Sequence, residues 1–161
     1  VGFDGFGLSV SPAAFFGLLL GVEMAVALLT MVPVSKLGER LGLKPVVLTG
    51  FLVYAVFPAL LVTAPADQWV LVALFAFSGL RFAGLPSHKA LIVGPAAQGA
   101  GGRVTGTYYL LRNTLVIPSA AVGGSLWAFV SPGVAFTVAA AIGLVGTGYF
   151  LVFGEEFEAY A

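Results

Sequence analysis

Four charged side chains lie inside long hydrophobic stretches of the sequence, and they are Glu23, Arg81, Lys89 and Arg112. A charge at the centre of a bilayer costs about 2.5–3.5 kcal/mol even on translocon-insertion scales, so it normally faces a protein interior or a water-filled pathway. We therefore interpret these residues as indicating that a polar solute crosses a membrane protein.

Two of these charges are predicted to lie at the same depth. Glu23 is about 11 residues into its hydrophobic stretch and Arg81 about 12 into its own, which corresponds to about 16–18 Å at the helical rise of 1.5 Å per residue. The two side chains can pair if their helices touch. Two interpretations remain open, because the pair could serve only to neutralise itself or could take part in function.

The densest polar group consists of Tyr108, Tyr109, Arg112 and Asn113. Spacings of three and four residues place both tyrosines on the same side of a helix as Arg112. A guanidinium flanked by phenols and an amide can hold a carboxylate or a phosphate group. We predict that this group lines a cavity, and structural bonding between helices is the alternative.

The third hydrophobic stretch is irregular, because Gly79, Gly84 and Pro86 lie close together. Pro86 removes one backbone hydrogen bond and predicts a kink. Broken helices of transporters often expose backbone groups at a binding site, so we assign His88 and Lys89 to the substrate pathway. The alternatives are that Lys89 reaches towards the cytoplasmic interface and that His88 is a hydrogen-bonded interior histidine rather than a proton carrier.

The composition indicates an all-α polytopic membrane protein. Of the 161 residues, 60% are hydrophobic and 9% are charged, and the mean hydropathy is +1.07, far from an ordinary soluble domain. A spanning helix needs about 20 apolar residues, and five stretches reach this length. We predict a single transmembrane domain over residues 1–161, with spans at approximately 12–34, 46–64, 69–94, 104–130 and 133–154.

Several functions are disfavoured by composition. The formal net charge is zero, so there is no electrostatic case for nucleic-acid binding. There is no cysteine, and one histidine cannot form a metal cluster alone, so neither a cofactor nor a metal is expected. Paired carboxylates and a serine–histidine arrangement are not evident either, so an enzyme is not expected.

The distribution of basic residues predicts the orientation. Short loops with Lys and Arg face the cytoplasm, whereas Trp and Tyr favour the membrane interfaces. The basic end carries Lys36, Arg40, Lys44, Arg103 and the C-terminus, and the opposite end carries Trp69 and Trp127. We therefore expect an integral protein of the cytoplasmic membrane with its C-terminus inside, where Glu155, Glu156 and Glu158 are solvated.

The uneven distribution of charge predicts which helices face lipid. The second and fifth stretches contain no charge and are expected against lipid, while the other three are expected to line an interior. The small-residue pairs Gly17–Gly21 and Gly123–Gly124 predict close contacts between helices.

The segment Ser35–Lys44 resembles the cytoplasmic signature of the major facilitator superfamily, Gly-x-x-x-Asp-Arg/Lys-x-Gly-Arg-Arg/Lys. Arg40, Gly42 and Lys44 match it, and Glu39 stands in place of the aspartate. Ser35 and Leu43 depart from the pattern, as often happens in the second copy of this motif. The stretch 103–106 also looks like the entry into the fifth helix of a half.

The resemblance implies the C-terminal half of such a protein without its first helix, in which the second and fifth stretches would be the outermost helices. It implies a secondary transporter that moves a small solute by alternating access, with the missing N-terminal half as partner and proton coupling left open. It also implies that Glu39, Arg40, Gly42 and Lys44 control conformation rather than contact the solute.

The interior charges predict the charge of the solute. Glu23 provides one negative charge, and Arg81, Lys89 and Arg112 provide three positive charges. Two positive charges therefore remain after one ion pair forms, and they favour an anionic or carboxylate-bearing solute. Two other functions remain as alternatives. One is a membrane-embedded enzyme that acts on a lipid-borne substrate, and the other is a transporter-like sensor or assembly subunit.

Overall fold

The computed structural model describes residues 2–5 and 7–155 of the chain, and it is mostly helical. A hairpin of two short antiparallel strands precedes the helices, with β1 at Phe3–Gly5 and β2 at Leu8–Val10. The helices are α1 (Pro12–Leu41), α2 (Leu43–Thr63), α3 (Gln68–Ala83), α4 (Leu85–Val93), α5 (Gly101–Phe129) and α6 (Pro132–Phe153). The tail residues Glu156 and Glu158 lie outside the described residues.

Four helical segments within the described ranges are long and apolar enough to cross a membrane, namely α1, α2, α3 with α4, and α6. They are compatible with an integral membrane protein. The fourth predicted span, at 104–130, corresponds to α5, which has 29 residues but is not among these four segments. Its two tyrosines, two arginines and one asparagine lower its mean hydropathy, so length and hydropathy together support four of the five predicted spans.

Helix starts follow the polar residues that precede them. Ser11 and Ser131 are N-caps whose hydroxyls accept backbone N–H bonds, and a proline follows each at the first helical position. Asp67 caps α3 by accepting from the N–H groups of Trp69 and Val70 at 2.9 and 3.0 Å. These side chains satisfy N–H groups that have no partner inside the helix, which explains the start points.

The segment expected to be a loop, Ser35–Lys44, is almost entirely helical. α1 passes through Pro33 and ends at Leu41, and α2 begins at Leu43. Only Gly42 separates them, with φ of 96°, a conformation that residues with a side chain rarely adopt. The turn between the first two spans is therefore a single glycine. The signature lies on the last turns of α1 and the first turn of α2.

The third predicted span is broken where the sequence indicated. α3 ends at Ala83, Gly84 follows, and α4 begins at Leu85 with Pro86 in its first turn. Proline is tolerated there because the N–H it lacks would have no helical partner. The break separates the part of the span that carries His88 from the part that carries Arg81.

The closest helix contacts are made at glycines other than the expected pairs. A Cβ at Gly79 would lie 2.5 Å from the Glu23 carbonyl oxygen, where α3 meets α1, and one at Gly143 would lie 2.8 Å from Ala55 Cβ, where α6 meets α2. Such spacing allows close packing of backbones. By contrast, a Cβ at Gly17, Gly21, Gly123 or Gly124 would meet no atom within 4 Å, so the contacts predicted there are absent among the described residues.

The N-terminal hairpin was not expected from the sequence. The Phe3 ring contacts the rings of Phe15 and Trp69, with centroid distances of 5.7 and 5.5 Å. The side-chain amide of Gln68 accepts a hydrogen bond from the Asp4 backbone N–H and donates one to the Asp4 carbonyl. The hairpin thus covers one end of the α1–α3 pair. It lies over a core cluster whose buried members are Phe15, Leu19 and Phe75.

The basic end of the bundle lies opposite an end that carries no Lys or Arg. At one end the hairpin meets the start of α3, and the end of α2 meets the start of α6 through Val62 and Gly133. At the other end, Lys44 Nζ donates a 2.6 Å hydrogen bond to the Gly154 carbonyl. The predicted separation of basic loops from the two tryptophans therefore agrees with the fold, while the assignment of the basic end to the cytoplasm stays a prediction.

The packing of the described residues differs from the expected pattern, in which the second and fifth stretches face lipid and the other three line an interior. α2 packs against α1, α3, α4 and α6 and has six buried residues, whereas no residue of α5 is buried. Lipid tails are as apolar as leucine, so the lack of charge over residues 46–63 does not distinguish contact with lipid from contact with other helices.

Candidate functional site

A buried cluster joins α1 to α3. Arg81 Nη2 lies 2.7 Å from Glu23 Oε1, so the predicted ion pair is present. Ser78 donates a 2.5 Å hydrogen bond to the same carboxylate oxygen. Glu23 is 3% exposed and Ser78 is fully buried. The carboxylate therefore depends on these two neighbours to compensate for the loss of water.

The Arg81 guanidinium also lies among three aromatic rings. Its central carbon is 4.6 Å from the centroid of Phe82, 4.9 Å from Tyr54 and 5.7 Å from Phe57. Contacts of this kind attract a cation to the electron-rich ring face. The ion pair and the rings together hold the guanidinium in one place, although its buried Nε has no hydrogen-bond partner among the described residues.

A cavity of about 470 Å³ opens beside Arg81, between α2, α3, α4, α5 and α6. This volume is within the range typical of small-molecule sites, about 300–1,000 Å³. Four of the predicted pathway residues line it, namely Arg81, His88, Tyr108 and Arg112. Its other lining residues are Val47, Gly50, Phe51, Tyr54, Ala55, Phe82, Gly84, Leu85, Gly143, Gly146 and Thr147.

His88 and Tyr108 connect α4 to α5 within this lining. The Tyr108 hydroxyl lies 3.1 Å from His88 Nε2, and the two rings meet edge to face. Phe51 of α2 packs against the other side of the imidazole, with ring centroids 5.4 Å apart. His88 is thus a hydrogen-bonded histidine, as one of the two interpretations expected. It closes one wall of the cavity.

Arg112 differs from Arg81 in its surroundings. Its side chain is exposed, and its only described polar contact is a 3.3 Å bond from Nη1 to Oδ1 of the neighbouring Asn113. No carboxylate lies among the residues that line the cavity. Arg81 is compensated by Glu23, so Arg112 provides the uncompensated positive charge at this site.

The remaining pathway candidates lie outside the cavity lining. Lys89 is exposed, in keeping with the alternative that it extends towards the interface. Tyr109 packs its ring against Tyr108, and Asn113 contacts Arg112, so both adjoin the lining without forming it. Glu23 does not line the cavity, and it is connected to the lining through its ion pair with Arg81.

The signature residues Glu39, Arg40, Gly42 and Lys44 are not part of the cavity lining. Glu39 and Arg40 are both exposed, and neither makes a side-chain hydrogen bond or ion pair to another described residue. Lys44 holds the end of α6 through Gly154. Gly38 lies in close contact with α4, where an added Cβ would be 3.0 Å from Ser87 Oγ. The signature therefore marks where α1, α2, α4 and α6 meet at the basic end.

Sequence reasoning missed several residues of the site. Ser78 precedes Arg81 by three residues and so shares its helix face, a spacing that could have identified it. Phe51, Tyr54 and Thr147 lie within stretches that contain no charge (46–64 and 133–154), where neither charge nor periodicity distinguishes the side that meets a cavity. Only the packing of α2 and α6 reveals them.

Comparison with known proteins does not assign the chain to a family. No protein-family profile matches the chain, and no curated protein matches it. Among the described residues, no three side chains of the metal-binding types come together. The chemistry of this site is therefore that of a partly apolar cavity with one free guanidinium, one compensated guanidinium and a histidine–tyrosine hydrogen bond.

Proposed function

We propose that the chain is part of a secondary transporter of the major facilitator type, which moves a small anionic or carboxylate-bearing solute by alternating access. The observation that carries this proposal is the cavity that brings Arg81, His88, Tyr108 and Arg112 together from three helices. Charged side chains within membrane helices mark solute pathways more often than they serve structure alone.

The charges of the cavity support an anionic solute. Arg81 already has a carboxylate partner 2.7 Å away, whereas Arg112 contacts only a neutral amide. A guanidinium presents donors that match a carboxylate, and such charge-assisted hydrogen bonds are among the stronger ones in proteins. The phenol of Tyr108 lies in the same lining and can help to orient the bound group.

The exposure of α5 supports a partner half. The helix is about 43 Å long at 1.5 Å per residue, enough to cross a bilayer even though its composition is polar. In this proposal α5 also crosses the membrane, as the fourth span along the chain, and its unburied face meets the missing helices. A polar helix of this kind is expected to be stable in a membrane only where it faces protein or water.

Uptake by the full-length protein tests the proposal. Anionic, neutral and cationic solutes of matched size are compared in the parent, in Arg112→Gln and in Arg103→Gln. Arg103 is an exposed cation at the start of the same helix and lies outside the cavity lining, so it serves as the matched control.

We expect uptake of an anion that falls by about 10–150-fold in Arg112→Gln, because a hydrogen bond to a charged group contributes about 1.5–3 kcal/mol. Arg103→Gln should remain close to the parent. A cation preference in the parent, or an unchanged profile in Arg112→Gln, would contradict the proposal.

A further inference from the structure

The walls of the cavity differ from those expected of a site that binds a small inorganic anion. Beside its two arginines, it is lined mainly by aliphatic and aromatic side chains, of which Phe51, Tyr54, Phe82 and Tyr108 are the largest. Removing these apolar side chains from water is favourable, so they favour a ligand that is itself apolar apart from its charged group. From this combination we infer that the site selects a hydrophobic monocarboxylate, an anion with one carboxylate on an aromatic or aliphatic body. The inference rests on the proposed function, since it specifies the solute of that same cavity.

The size of the cavity supports a body larger than the anionic group itself. A volume of about 470 Å³ corresponds to about 16 water molecules at roughly 30 Å³ each. Acetate or inorganic phosphate would occupy only a small part of this space and leave the aromatic walls in contact with water. A carboxylate on a six-membered ring can reach a guanidinium and still contact those walls.

The charge of the cavity supports one negative charge rather than two. Glu23 compensates Arg81, and the three aromatic rings further hold its guanidinium in place. Only Arg112 remains to compensate a ligand, and no lining residue is lysine. A dicarboxylate would therefore bring a second charge into a mainly apolar space without a partner, which is costly.

Two glycines of α6 provide a steric test. Gly146 lines the cavity and Gly148 does not, yet a Cβ at either position would meet no atom within 4 Å. Leucine at Gly146 has room to extend into the cavity, while leucine at Gly148 tests the same change outside it. Gly143 is unsuitable, because a Cβ there would lie 2.8 Å from Ala55 Cβ.

The experiment measures binding and uptake separately with the purified full-length protein. The probes are benzoate, cyclohexanecarboxylate, acetate, phthalate, inorganic phosphate and benzamide. Binding is measured by calorimetry in detergent, and uptake is measured in proteoliposomes. We expect benzoate and cyclohexanecarboxylate to bind at least tenfold more tightly than every other probe. Gly146→Leu should weaken their binding at least tenfold, and Gly148→Leu less than twofold.

The two proposals fail in different ways. Binding of benzoate without uptake of any probe would overturn the transport function and leave the ligand class standing. Uptake of acetate, phosphate or phthalate in preference to benzoate would overturn the ligand class and leave anion transport standing. Equal binding of benzamide and benzoate, or equal effects of the two leucine variants, would also overturn the ligand class.

Discussion

The ion pair between Glu23 and Arg81 gives the sharpest prediction for stability. In Arg81→Gln the Glu23 carboxylate, 3% exposed, retains only the hydrogen bond from Ser78. Breaking a buried pair by removing one partner typically costs about 3–5 kcal/mol, because the other charge stays buried without compensation. We therefore expect Arg81→Gln to reduce the free energy of unfolding by an amount in this range.

The reverse change should cost less. In Glu23→Gln the amide oxygen can still accept from Ser78, and Arg81 keeps its contacts with Tyr54 and Phe82. The Arg81 side chain is also 20% exposed, so its unpaired charge remains partly hydrated. We expect a loss of about 1–3 kcal/mol, the usual cost of an unsatisfied buried group. The asymmetry between the two single variants follows from burial and not from charge alone.

A double-mutant cycle measures the coupling. The double variant has no buried charge, so its loss should be smaller than the sum of the single losses by about 1–3 kcal/mol, the usual size for residues in contact. The assay is equilibrium unfolding of the purified protein in mixed micelles, with Arg103→Gln as an exposed control expected within about 0.5 kcal/mol of the parent. Additive losses, or a greater loss in Glu23→Gln than in Arg81→Gln, would refute the reasoning.

Three further predictions concern the rest of the chain. Because the sequence has no cysteine, a reagent that does not cross membranes should label Ala66→Cys from outside intact cells and leave Lys36→Cys unlabelled; the opposite pattern would invert the orientation. Gly143→Val should lower the unfolding free energy by about 1–3 kcal/mol through overpacking, whereas Gly17→Val, which meets open space, should change it much less in the same micelle assay. Arg40→Gln should slow uptake of the solute while its binding constant, from calorimetry, stays within about twofold of the parent (about 0.4 kcal/mol), since Arg40 lies outside the cavity lining; loss of binding would contradict a purely conformational role.

Local features of the fold were predictable because they depend on neighbouring residues. The serine caps, the break after Gly84 and the apolar helices follow from hydrogen-bonding needs and hydropathy within a few residues. The Glu23–Arg81 contact was predictable as well, because the fixed rise of a helix converts a position in the sequence into a depth. Depth alone sufficed there, since these charges had few possible partners in an apolar chain.

The sides on which helices meet were decided only by tertiary structure. Nothing in the pattern of α2 distinguishes Phe51 and Tyr54, which line the cavity, from the other apolar residues of that helix. The sequence likewise favoured Gly17 and Gly21 for close contact, whereas Gly79 and Gly143 make it. In a soluble protein the polar face of a helix indicates the side that is not packed, but a membrane helix is apolar towards both lipid and protein. Its orientation therefore follows from the fit of whole helix surfaces, which brings together residues distant in the chain.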